Sequence, residues 1–530
     1  MADLVHQLIT ESAQRRPQRP ALKYRGDLLT FKQLADVVNT FAAAMMALGL
    51  GRSDRVAVYA EKRLETVIAM FGASAAGGVY VPVNPLLKAE QVAYILADCN
   101  VRVLVTSAER LAVLAPVLSH CRDLRCIVTM GDVADDVKLP GIQIVSWNSV
   151  QNTATLVKPH RVIDQDMAAI LYTSGSTGRP KGVVLSHRNI VAGARSVAEY
   201  LELTENDRLL SVLPLSFDYG MNQLTTMFLV GGLAVLINHL FPRDVVTMVE
   251  KEKITGLAAV PPLWIQLSQL SWPPSISEHL RYFTNSGGHM PRETLAALRT
   301  ALPKTKPYLM YGLTEAFRST YLPPSEVDNR PDSMGQAIPN AEIVVVREDG
   351  TPCAPHEPGE LVHRGVLVSL GYWNDKEKTA ERFKPAPGQN PALPLTELAV
   401  WSGDTVKMDE QGFVYFVGRR DEMIKTSGYR VSPTEIEEVL YATKLVGEVA
   451  ALGISHPVLG QAIAIVATPA EGTILTVESL LAECKRNLPA YMVPAHVEIA
   501  AGSLPRNPNG KIDRKLLSTE RQQLFAGVTK

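Results

Sequence analysis

Tyr172-Thr173-Ser174-Gly175-Ser176-Thr177-Gly178-Arg179-Pro180-Lys181-Gly182 places hydroxyls, glycines and one lysine directly behind the apolar run Met167-Ala168-Ala169-Ile170-Leu171. Such a loop is built to hold phosphate. Glycine lets backbone N–H groups approach an oxyanion closely, serine and threonine donate from their side chains, and the Lys181 ammonium adds a point charge. The run before the loop reads as a buried strand and Ser186 as the N-cap of a helix starting near His187, so the expected order is strand, loop, helix. The loop does not close on Gly-Lys-Ser/Thr, which excludes the Walker A pattern. A Ser/Gly surface linker would not stand between a buried strand and a helix, nor end on Pro180-Lys181-Gly182.

Outward from this loop, apolar strand-like runs alternate with amphipathic helical stretches up to about residue 418. Arg55–Tyr59, Val101–Thr106 and Leu233–Ile237 are examples, and the alternation argues for layered parallel α/β structure. Between about Gly335 and Gly371 the pattern shifts to short β runs, Ile343–Val346 and Glu360–His363, with turn signals at Asp349-Gly350 and Pro358-Gly359; a small antiparallel barrel or sheet is expected there. The Pro-rich stretch from Ala386 to Pro394 reads as a loop. After Arg419 a compact unit of about one hundred residues remains.

The chain has 530 residues, 46% hydrophobic and 20% charged, with a formal net charge of -1. That is the composition of a large globular enzyme, and it gives no electrostatic case for nucleic acid as a partner. Five cysteines without a CxxC pair point to free thiols in a reducing compartment. His120, Cys121 and Cys126 lie close in sequence but lack a fourth zinc ligand at sensible spacing. Met1-Ala2-Asp3-Leu4-Val5-His6 has no secretory pattern, and a cytoplasmic protein is expected. Thr66 to Val83 is uncharged, yet its glycines and Pro82 favour a buried helix running into a buried strand over a membrane span.

Four further motifs follow the loop: Tyr311-Gly312-Leu313-Thr314-Glu315, Trp401-Ser402-Gly403-Asp404, Gly418-Arg419-Arg420-Asp421 running into Ile424-Lys425-Thr426-Ser427-Gly428-Tyr429-Arg430, and Asn509-Gly510-Lys511-Ile512-Asp513-Arg514. In this order, over nearly the whole chain, they resemble the adenylate-forming superfamily, which includes acyl-CoA synthetases, peptide-synthetase adenylation domains and luciferases. The stretch from Tyr311 to Pro324 is similar to acyl-CoA ligases associated with exosortase systems. The resemblance implies an N-terminal core over 1–418, made of two layered α/β subdomains and a β-barrel-like one, a hinge at 419–421, and a mobile α+β domain over 422–530.

It also implies roles. Thr173, Ser174, Gly175, Ser176, Thr177, Gly178 and Lys181 would embrace the β and γ phosphates of ATP. Thr314 would contact the α-phosphate, and Glu315 would help hold Mg²⁺, a hard cation that prefers oxygen ligands. Tyr311 and Gly312, with Gly287 and Gly288, would pack the adenine, although Gly287-Gly288-His289-Met290 departs from the commoner Gly-Gly-Ala-Pro. Asp404 and Arg419 would grip the ribose, and Asp421 would be the hinge. Lys511 would serve adenylation, whereas Ser427, Gly428 and Arg430 would serve the thiol step, Gly428 lining a pantetheine tunnel where a Cβ would obstruct. Arg506-Asn507 stands where many relatives have Lys-Thr.

The chemistry explains the need for these parts. A carboxylate is a poor electrophile; an acyl-AMP anhydride made from ATP supplies a leaving group, and both the α-phosphoryl centre and the departing pyrophosphate need fixed donors and cations. The expected enzyme is therefore an AMP-forming ligase that passes a carboxylic acid to a thiol, CoA first, or an amino acid to the phosphopantetheine of a carrier protein. A non-catalytic nucleotide binder or a luciferase-like protein is the alternative from another class. The resemblance leaves the acid and the oligomeric state open. It also leaves Phe217-Asp218 open: amino-acid-activating members have Phe-Asp here, with the Asp pairing the substrate ammonium, while a structural acid paired by a neighbouring Arg or backbone is the other reading.

Overall fold

The computed structural model describes residues 2–132, 139–152, 158–173, 180–419, 422–426, 429–456, 459–507 and 510–526, with backbone alone at 419, 425, 429 and 430. Three sheets organise it. The first has seven strands in the order Gln143–Ser146, Cys126–Met130, Val101–Ser107, Arg55–Tyr59, Val79–Pro82, Met167–Thr173 and Lys181–Ser186. All its neighbours run parallel except the last pair.

That last pair corrects the expected strand, loop, helix order. The glycine-rich loop opens into a second strand, Lys181–Ser186, which returns antiparallel along Met167–Thr173 with Thr173 opposite Lys181. The physical reason lies in Val183, Val184 and Leu185, all buried: an apolar run just past the loop satisfies its backbone in the sheet before any helix can start. Ser186 then caps the helix His187–Tyr200 as expected, accepting from the Asn189 backbone N–H while Asn189 accepts from the Ser186 backbone.

The second sheet has Asp27–Thr30 at its edge, antiparallel to Pro20–Tyr24, and goes on through parallel strands, Pro20–Tyr24, Leu233–Leu236, Arg208–Ser211, Gly256–Ala259, Tyr282–Asn285 and Lys306–Tyr311. It continues antiparallel through Thr320–Leu322 and Ser333–Ala337 into Val414–Arg419, Leu398–Met408, Gly359–Gly365 and Ala341–Val346. The short β runs near 335–371 therefore grow out of the large sheet by continuous hydrogen bonding. The uncharged stretch from Thr66 folds as the helix Leu64–Ala75 and the strand Val79–Pro82, nearly all buried. No described helix is long and apolar enough to cross a membrane.

The third sheet belongs to the C-terminal unit. Its order is Tyr429–Val431, Ile424–Thr426, Gly460–Pro469 and Val446–His456, with His496–Ile499 running parallel along Gly460–Pro469. Alternation along the two long strands sends Ile463 and Ile465 to one face and Ala462, Ala464 and Val466 to the other. The helices Pro433–Ala442 and Val477–Asn487 cover the first face through Ile436, Leu440 and Leu480; Leu517 of the helix Arg514–Glu520 covers the second. Two cores of its own make this unit an α+β layer structure.

Candidate active site

Strand ends build the site. The strand Lys306–Tyr311 finishes at Tyr311, whose hydroxyl donates to Asp404 Oδ2 from the neighbouring antiparallel region. Asp404 itself is nearly buried and lies opposite Arg419 in the strand register. Its backbone N–H donates to Ser402 Oγ at 3.0 Å, and Ser402 in turn donates to the Leu361 carbonyl at 2.7 Å, so the backbone at Asp404 is fixed as well as the carboxylate that Tyr311 holds.

Beyond Tyr311 the chain makes a single 3₁₀ turn, Thr314–Ala316. Phe317 then takes φ +57°, a left-handed backbone conformation that side chains other than glycine rarely adopt. Tertiary packing holds it there, because the Phe317 ring is fully buried and fills the space beside Gly193, where a Cβ would come within 2.2 Å. The consequence is a reversal of direction that turns Arg318 back under the motif. Its guanidinium Nη1 meets Asp218 Oδ2 at 2.7 Å and the Phe317 carbonyl at 2.8 Å, and the cation lies 4.7 Å from the Tyr219 ring centre. Thr314 Oγ1 donates to Asp218 Oδ1 at 3.4 Å. Arg318 and Asp218 are 1% and 3% exposed, so this is a fully interior ion pair. Of the two readings left open for Asp218, its partner in the structure is an arginine of the chain itself.

Glu315 faces the cleft from the same turn. Tyr372 donates its hydroxyl to Glu315 Oε1 at 2.5 Å, and the Lys181 ammonium lies 5.4 Å from the Tyr372 ring centre. Burial lowers the Lys181 pKa from its ordinary value, and the nearby Lys378 adds to the effect. Lys181, Tyr372 and Glu315 thus form a row from the end of the glycine-rich loop to the cleft.

The C-terminal unit closes the other side. Lys511 sits on a tight turn in which its backbone N–H donates to Asn507 Oδ1 at 3.1 Å while its carbonyl accepts from Asn507 N at 2.8 Å. Its side chain reaches the first domain. Gly287 has φ +82°, and a Cβ there would stand 3.5 Å from Lys511 Cε and 3.6 Å from Phe217 Cζ. Gly287, Phe217 and the C-terminal Lys511 therefore converge at one point of a cleft of about 1520 Å³ lined from both units. The two units are also clasped at its rim: Glu438 accepts from His289 Nε2 at 2.9 Å and from the Arg292 backbone at 3.1 Å, and Lys444 pairs with Glu293 at 2.9 Å.

Thr173, Phe217, Asp218, Gly287, Gly288, Tyr311, Gly312, Thr314, Glu315, Asp404 and Lys511 all border this cleft. Ser174, Gly175, Ser176, Thr177, Gly178, Asp421, Ser427 and Gly428 lie outside the described residues, as do the side chains of Arg419 and Arg430. Three participants carry no signal of their own in the sequence. Arg318, Tyr372 and Glu438 reach the site only through tertiary register, from positions 100, 57 and 149 residues away from the groups they touch. For His289 there was a hint, as the residue that breaks the usual Gly-Gly-Ala-Pro pattern.

Comparison with known proteins gives a consistent result. The family model for AMP-binding enzymes matches residues 9–373, and that for the AMP-binding enzyme C-terminal domain matches residues 435–511. The chain is 31% identical to a long-chain-fatty-acid–CoA ligase of Escherichia coli O157:H7, over 97% of this chain and 94% of that one. It is 29% identical to an L-proline–[L-prolyl-carrier protein] ligase of Pseudomonas fluorescens, over 98% and 99%. Its fold superposes with a TM-score of 0.87 on the crystal structure of the anthranilate CoA ligase AuaEII in complex with anthranoyl-AMP, at 24% identity, covering 99% of this chain and 98% of that one.

Proposed function

The chain belongs to the AMP-binding enzyme family, and from that premise we propose that it joins a carboxylic acid to the thiol of coenzyme A through an acyl-adenylate. It is an AMP-forming acid–thiol ligase. In the first step a carboxylate oxygen bonds to the α-phosphorus of ATP, the bond from that phosphorus to the bridging oxygen breaks, and pyrophosphate leaves. In the second the CoA sulfur bonds to the acyl carbon, the thiol proton is lost, and AMP leaves.

The observation that carries this reading is the convergence of Lys511, Gly287 and Phe217 within one cleft. In it Lys511 stabilises the charge that builds on the carboxylate and α-phosphate oxygens, and Thr314 donates to the α-phosphate. Tyr311 stacks on the adenine, with Gly287, Gly288 and Gly312 giving close backbone approach, while Asp404 and Arg419 take the ribose hydroxyls. Thr173 and the loop residues Ser174 to Gly178, with Lys181, take the outer phosphates. Magnesium suits the oxygen donor that Glu315 turns toward the cleft and, when bound with ATP, neutralises phosphate charge. Glu315 would hold it, and Tyr372 keeps that carboxylate oriented.

We assign 1–418 to the nucleotide and acyl core, 419–421 with Asp421 to the hinge, and 422–530 to the mobile unit, whose Ser427, Gly428 and Arg430 would serve the thiol step after rotation. Free thiols at all five cysteines suit the cytoplasm as the compartment. CoA is favoured over a carrier protein because the relative at 31% identity is a CoA ligase. A panel of fatty, aryl and amino acids in ATP–pyrophosphate exchange, followed by thioester detection with CoA, tests the assignment. Acid-dependent exchange and an acyl-CoA product are expected; exchange with no transfer to CoA would move the acceptor to a carrier protein.

A further inference from the structure

We infer that the buried Asp218–Arg318 pair is the specificity element of the acyl pocket and makes the enzyme select acids without an α-ammonium group. The inference rests on the ligase reading above. Asp218 begins the helix Asp218–Val230, and Phe217, the residue before it, faces Lys511 across Gly287. Asp218 Oδ1 lies 3.4 Å from Thr314 Oγ1. An acid placed for adenylation between Thr314 and Lys511 therefore has its α-carbon beside this pair.

Three observations set the chemistry at that spot. Asp218 Oδ2 is already committed to Arg318 Nη1 at 2.7 Å, so its charge is neutralised from within the chain. The guanidinium is 1% exposed and rests against the Tyr219 ring at 4.7 Å, whose hydroxyl is tied to Thr284, so Arg318 has no room to swing aside. Arg318 Nε and Nη2 find no acceptor among the described residues. The carboxylate at the pocket floor thus has its charge answered from within the chain. A substrate ammonium, which only donates, meets a carboxylate already paired with an interior cation; it would lose its water and gain no counter-charge. A plain methylene costs nothing comparable there.

The test uses a matched pair of acyl-adenylate mimics small enough for any acyl pocket, propionyl- and alanyl-sulfamoyl adenosine, titrated calorimetrically into the full chain. The wild type should bind the propionyl compound about a hundredfold or more tighter. Arg318→Met, which releases the Asp218 carboxylate, should narrow that gap at least about tenfold or invert it. Asp218→Asn, which leaves the guanidinium unpaired, should widen it, so a poorly folding Arg318→Met protein does not close the question. Equal or tighter binding of the alanyl compound by the wild type overturns the inference alone, as does a gap that neither variant moves. Failure of both compounds to bind the wild type overturns the ligase reading and the inference with it.

Discussion

Replacing Lys511 by alanine should separate the two half-reactions. The side chain is exposed to the cleft, and the Lys511 backbone is held by Asn507 through its Oδ1 and its N–H, contacts that Lys511→Ala leaves in place. Its Cε stands 3.5 Å from the place a Cβ on Gly287 would occupy, inside the cleft, and an ammonium in contact with an α-phosphate oxygen would stand about 3–4 Å from the anionic charge. Two unit charges about 4 Å apart at an effective dielectric of about 20 interact by about 4 kcal/mol. Loss of one preorganised donor in an active site commonly costs about 2.7–4 kcal/mol. Both routes give a fall in ATP–pyrophosphate exchange of about a hundredfold to a thousandfold. Thioester formation from supplied acyl-AMP should stay near normal, because in the proposed reading the C-terminal unit rotates for that step and presents Ser427, Gly428 and Arg430 in place of Lys511. Equal loss of both half-reactions, or undiminished exchange, would refute the placement of Lys511 at the reacting centre.

Gly428→Leu should show the opposite signature: exchange largely kept, transfer to CoA blocked, because the added side chain fills the pantetheine route; a folded variant that loses exchange just as severely would move Gly428 to the nucleotide site. Tyr372→Phe removes the donor 2.5 Å from Glu315 Oε1 and should raise the magnesium concentration for half-maximal exchange by about tenfold, whereas an unchanged requirement would take Tyr372 out of the site. Lys62 donates to the Ser211 and Leu213 carbonyls at 2.8 and 3.1 Å, and burial lowers its pKa from 10.5 to about 7. The unfolded chain then holds this proton more tightly than the folded one, so Lys62 makes stability rise with pH from about 7 toward 10.5. Lys62→Met should remove about 2–3 kcal/mol of that gain by pH 9, read as a converging difference in urea midpoints; parallel pH profiles for the two proteins would be the contrary result.

The fold was legible where periodicity and punctuation speak for themselves. The strands at 55–59, 101–107 and 233–236, the helix capped by Ser186, and the helix and strand of the uncharged stretch from Thr66 follow from local pattern. The strand Lys181–Ser186 was missed because Val183-Val184-Leu185 is too short a run to tell from the first turn of a helix, and only its pairing with Met167–Thr173 decides between them. Likewise, the short β runs near 341–365 announce antiparallel strands but not their attachment, since the link to the large sheet runs through two brief strands, Thr320–Leu322 and Ser333–Ala337.

For the site the division has a sharper cause. Motif residues such as Thr314, Glu315, Asp404 and Lys511, which the structure gathers around one cleft, can be singled out in sequence because the chemistry proposed for them demands fixed residue types at fixed spacing. The groups that tune them are not, because any donor or cation arriving from elsewhere in the fold can do that work. Asp218 is the instructive case. Its neighbour Phe217 and its place before a helix suit an ammonium anchor as well as a structural acid, and a carboxylate in sequence carries no sign of whether its charge is spoken for. What decides is a backbone event a hundred residues later, the left-handed turn at Phe317 that Gly193 accommodates and that brings Arg318 under Asp218. A site whose motifs permit both acids and amino acids is thereby biased by one buried cation, so the choice of substrate rests on tertiary packing and not on the motif that made the chemistry possible.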